Sequence, residues 1–159
     1  MNNITLFKNI KTVLLLFIVA GLISACSNST SSEDDHEHKE PAGFKLEMNG
    51  QTLVEQMPGE TSVTGEIELQ PGEETDLITI QFIAEDGDEF QPEEDSYSLG
   101  FEFEDAGIAE FEQHDEDGKW SFHIHAEAEG VTDLTLMLMH NDHSDFSTQP
   151  IHVHVEAAE

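Results

Sequence analysis

The 159-residue chain contains no arginine, five lysines, one cysteine, one tryptophan and one tyrosine. Each scarcity removes a class of function. Against those five cations stand 35 Asp plus Glu, a formal charge of −30. A surface of that sign repels phosphate backbones, which excludes nucleic acid as a partner. It repels anionic lipid as well, so any membrane attachment has to be covalent or apolar. A single cysteine allows no intrachain disulfide, so the fold must hold through its core or through bound metal. No apolar run reaches the ~20 residues that a membrane-spanning helix needs. There is no nucleophile elbow, no phosphate loop and no Ser/His/Asp spacing that singles out a triad, so an enzyme is not expected. What such a surface attracts is cations, although acidity by itself also serves solubility.

The charge is unevenly spread. No acid precedes Glu33, and Lys8 and Lys11 lie before an apolar stretch from Val13 to Ile23. From Cys26 onward 35 acids face three lysines (Lys39, Lys45, Lys119), a net −32. A cationic start, a short apolar run and small residues form the order of a secretory signal. Its end, Ile23-Ser24-Ala25-Cys26, resembles the bacterial lipobox. That resemblance implies a signal peptide over residues 1–25, a lipid on Cys26 and a lipid-anchored place in the cell envelope. Ser27 is not the Asp linked to inner-membrane retention, so in a Gram-negative cell it implies the outer membrane, on its periplasmic or surface face. More than one acyl chain is needed for stable anchoring, at ~0.8 kcal/mol per buried methylene. Residues 26–42, polar and charged with His36 and His38 among them, read as a flexible tether.

From residue 43 to 157 the text becomes short alternating apolar runs separated by turn signals. Phe44, Leu46 and Met48 alternate ahead of Asn49-Gly50, and Val63, Ile67 and Leu69 ahead of Pro71-Gly72. Ile78, Ile80 and Phe82 precede Asp86-Gly87-Asp88. Tyr97, Leu99, Phe101 and Phe103 form an aromatic alternation, and Trp120, Phe122 and Ile124 follow Asp117-Gly118. The run from Leu134 to Met139 is apolar on both faces, as in a central strand, which reads Met137 and Met139 as core packing. Ile151, Val153 and Val155 close the chain. Seven or eight such strands predict an all-β fold, a single antiparallel β-sandwich. In the C-terminal part, Gly107-Ile-Ala-Glu-Phe, Gly118-Lys-Trp-Ser-Phe, Glu129-Gly-Val-Thr-Asp-Leu-Thr-Leu and Ile151-His-Val-His-Val resemble bacterial Ig-like domains of the second group. Gly130 stands one place earlier than that family's Gly-Thr order. The resemblance implies an Ig-like sandwich and no particular activity.

Histidine is the abundant anomaly. Of nine, seven fall between residues 114 and 154. His123-Ile-His125 and His152-Val-His154 are H-x-H pairs on predicted strands. Period-2 geometry puts each pair on one face with Cα atoms ~6.5–7 Å apart, and the apolar neighbours send that face outward. In an Ig-like arrangement the two pairs fall in opposite sheets, where no ion can be shared across a core ~10 Å thick. On neighbouring strands, all four imidazoles would meet. The segment His140-Asn-Asp-His143-Ser-Asp145 should occupy the loop joining the last two strands. Its His140, His143 and Asp145 supply the N/O donors favoured by zinc, copper or nickel; the plain alternative is a polar loop capping its own backbone. Asp115-Glu-Asp117-Gly118 lacks the spacing of a calcium loop and reads as a hairpin turn.

Two functions from different classes follow. One is an anchored lipoprotein binding a divalent transition ion, zinc first, through His140, His143 and Asp145 with His123, His125, His152 and His154 as helpers or second sites. Its role would be buffering, or delivery to an envelope transporter or receptor. The other is an Ig-like structural or protein-interaction module of the envelope with no metal role.

Overall fold

The computed structural model describes residues 39–157. The signal segment, Cys26 and the tether histidines lie outside the described residues. Among those described there is no helix, and eleven strands account for the order: β1 (Pro41–Met48), β2 (Gln51–Gln56), β3 (Ile67–Leu69), β4 (Ile78–Ala84), β5 (Glu89–Phe90), β6 (Tyr97–Phe103), β7 (Ala109–Glu112), β8 (Ser121–Ala126), β9 (Gly130–His140), β10 (His143–Ser147) and β11 (Ile151–Val155). One sheet runs β2-β1-β4-β8-β7, with β5 on β4. The other is built on β9. Its register puts β6 along one edge, while β10 and β11 divide the other edge between them and β3 lies beyond β11. The pairings are antiparallel except β3 with β11, which run parallel. The fold is an all-β sandwich.

Alternation explains the packing. Ile78, Ile80 and Phe82 of β4, Phe122, Ile124 and Ala126 of β8, Leu134, Leu136 and Leu138 of β9, and Ile151, Val153 and Val155 of β11 are all buried in one core between the sheets. Each large side chain buried this way contributes ~1.5–3 kcal/mol. Trp120 precedes β8, stands edge-on to Phe82 at 5.5 Å between ring centroids, and donates its indole N–H to the Pro92 carbonyl.

Three expectations change. The strands outnumber the seven or eight expected, because β5, β7 and β10 are short and carry few apolar residues. Met137 and Met139 do not pack in the core. With Leu134, Leu136 and Leu138 inward, period 2 turns both methionines onto the outer face, where they lie half-buried over Gly100. Finally, β1 begins at Pro41, two residues before the expected domain start. A proline needs no ladder donor at the first position of a strand. Two residues on, the chain passes so close to β2 that a Cβ on Gly43 would lie 2.3 Å from the Gln56 carbonyl oxygen.

Candidate metal centre

His140 ends β9 on the same side as Leu134, Leu136 and Leu138, where the core gives way to solvent. Only Asn141 and Asp142 separate it from His143, which pairs with it across the β9–β10 hairpin. The expected loop is therefore a two-residue turn. Asn141 takes a positive φ of 53°, the left-handed conformation that such a turn demands and that Asn tolerates. Its backbone N–H donates to the Ser96 carbonyl at 2.8 Å, tying the turn to the chain just ahead of β6.

Asp145 joins the histidines through a bulge. Ser144 pairs with Met139 and Phe146 with Leu138, so Asp145 is the extra residue on β10. The Ser144 hydroxyl donates to the Phe146 carbonyl at 2.8 Å and closes the bulge. Phe146 anchors it, edge-on to Phe82 in the core. As a result the Asp145 carboxylate lies 3.5 Å from His140 Nδ1 and 3.1 Å from His143 Nε2. One ligand atom from each of the three residues falls within 4.8 Å of the others. Ligands at ~2.0–2.1 Å around a tetrahedral zinc sit about 3.4 Å apart, and each imidazole lies close to that distance from one oxygen of the carboxylate, His140 from Oδ2 and His143 from Oδ1. Both histidines and the carboxylate remain partly or largely exposed, which leaves a fourth position open to water.

Tyr97 completes the surroundings. It pairs with His140 across β6 and β9, and its ring stacks on the imidazole at 4.5 Å with 17° between planes. Burial pushes the Tyr97 phenol above its usual pKa of 10.0, and the Asp145 and Glu94 carboxylates push it the same way. Sequence reasoning placed Tyr97 in a core alternation and missed this role. Only the pairing of β6 with β9 reveals it.

The H-x-H pairs sit apart from this centre and from each other. His123 and His125 are on β8 in one sheet, His152 and His154 on β11 in the other, so four imidazoles do not converge. His125 contacts Glu127 at 3.0 Å, and His152 contacts its cross-strand neighbour Asp133 at 2.6 Å. His154 pairs in register with Glu68. His123 is held by the Thr75 carbonyl at 2.9 Å beneath the chain that precedes β4.

No protein-family model and no curated protein matches the chain. Among solved structures, domains 4 and 5 of the S-layer protein SbsC are similar over 72% of this chain and 75% of that one, at 12% identity and a TM-score of 0.42. A likeness this distant leaves the candidate centre to stand on its own geometry.

Proposed function

We propose that this chain is a lipid-anchored envelope protein whose sandwich binds a divalent transition ion, zinc first, through His140, His143 and Asp145. The observation that carries the reading is the meeting of three donors of the right type within 4.8 Å, from one hairpin. Two imidazoles and a carboxylate match the borderline character of zinc, with copper or nickel as further candidates. Three protein ligands with an open fourth position favour an exchangeable ion over a closed structural site. That suits buffering, or handing the ion to an envelope transporter or receptor. The N-terminal lipobox-like sequence supports the anchor and the envelope address, and the acidic surface raises the local concentration of cations.

Calorimetric titration of residues 39–157 with Zn²⁺, Cu²⁺ and Ni²⁺ tests the ion. Micromolar or tighter binding, lost in His140→Ala/His143→Ala, supports the site at the β9–β10 hairpin, on the rim of the core. Binding by none of the three ions would hand the protein to the Ig-like structural reading. Mass spectrometry of membrane-extracted protein tests the anchor, with an acylated N-terminal Cys26 expected.

A further inference from the structure

We propose a second divalent transition-metal site on the opposite sheet, formed by His123 Nε2 of β8 with His114 and Asp117 from the β7–β8 connection.

The argument starts from a hydrogen bond. A backbone carbonyl only accepts, so the 2.9 Å contact between His123 Nδ1 and the Thr75 oxygen requires the proton on Nδ1. The Glu74 carboxylate, 3.5 Å from the same nitrogen, favours that proton too. In the neutral imidazole, the form that binds a metal, Nε2 then carries the lone pair. A ring nitrogen donating to a carbonyl or carboxylate while the other presents a lone pair is the arrangement that orients metal-binding imidazoles.

That lone pair faces ligands. Asp117 Oδ2 lies 3.7 Å from His123 Nε2, close to the spacing of two ligands on one ion. The His114 ring stands 5.8 Å from the His123 ring, centroid to centroid, against 5.4 Å for His140 and His143. His114 and Asp117 are brought to the same place by one turn, in which the Asp117 N–H donates to the His114 carbonyl at 3.0 Å. Gln113 pins the connection by donating to the Lys119 and Ser121 carbonyls. The anchor is rigid, since the His123 side chain is only 16% exposed, whereas the His114 side chain is 50% exposed with its Nε2 3.8 Å from Glu112, a contact it would leave to reach the ion. Glu112, opposite His123 across β7 and β8, offers a further carboxylate.

The test uses the mature chain from Cys26 in detergent, carrying His36→Ala, His38→Ala, His140→Ala and His143→Ala. Its outcome is thus independent of the rim site and of the tether. Titrated with Zn²⁺ alone, this protein should still bind one equivalent, and adding His114→Ala should weaken binding at least about tenfold with an unchanged unfolding temperature. Nitrogen-15 spectra of the imidazoles should show His123 protonated at Nδ1 before zinc and a shift at Nε2 with zinc. No binding by the four-fold variant, equal binding after His114→Ala, or zinc bound without a His123 Nε2 shift would each overturn the proposal.

Discussion

Replacing Tyr97 by leucine should weaken zinc binding at the rim without unfolding the sandwich. The Tyr97 ring covers one face of His140 at 4.5 Å, holding an otherwise half-exposed imidazole in the orientation that faces Asp145. Without that plate His140 regains rotamer freedom, which has to be surrendered when an ion binds. Immobilising such a side chain costs about 0.5–1.5 kcal/mol, the same range measured for an aromatic stack. At 1.4 kcal/mol per factor of ten, the dissociation constant should rise about two- to twelvefold. Calorimetry reads the affinity, and thermal unfolding confirms that the domain stays folded. Tyr97→Phe keeps the stack and should bind as the parent does. Were Phe as damaging as Leu, the hydroxyl would be responsible, and the stacking argument would fail. Unchanged affinity in Tyr97→Leu would refute it outright.

Gly43→Ala should destabilise the domain by about 1–3 kcal/mol, because the added methyl meets a backbone oxygen rather than a side chain that can move; thermal unfolding checks this. Tyr97 is the chain's one tyrosine, so tyrosinate absorbance reports it alone. Its midpoint should lie above 10.0 and fall in Asp145→Asn, while staying raised by burial; an unmoved midpoint would separate Asp145 from the ring. Lys45 is also raised above its usual 10.5, chiefly by its bond to Glu89. A raised folded pKa gives stability that is complete below the unfolded value and lost as pH climbs through the folded one. Denaturant unfolding should therefore show stability falling above about pH 10, less so in Glu89→Gln. Zinc binding should weaken in acid, because protons compete with the ion for its ligands; calorimetry across a pH series checks this.

The sandwich was legible where one face of a strand is wholly apolar. Ile78, Ile80 and Phe82, or Ile151, Val153 and Val155, carry a period of two that only a half-buried strand explains. β10 was not, because His143-Ser-Asp-Phe-Ser147 has one apolar residue and takes its strand form from pairing with β9. Met137 and Met139 misled for a related reason. An apolar residue on each side of a strand reads as burial on both faces, whereas here the outer one meets Gly100 of a neighbouring strand. The His140, His143 and Asp145 donors were visible because one short segment supplies them all. The bulge that turns Asp145 toward the histidines, and the tyrosine over His140, depend on which strands pair across long stretches of chain. Nothing local encodes that. His114 was overlooked on the same ground, since it meets His123 only through the folded β7–β8 turn.

The central claim is that an ion sits between His140, His143 and Asp145. Anomalous diffraction at the zinc edge, from crystals of the domain grown with Zn²⁺, tests it most directly. The account predicts a peak about 2.0–2.1 Å from His140 Nδ1, His143 Nε2 and an Asp145 oxygen, absent in His140→Ala/His143→Ala. Zinc at other histidines with none at the β9–β10 hairpin would contradict it.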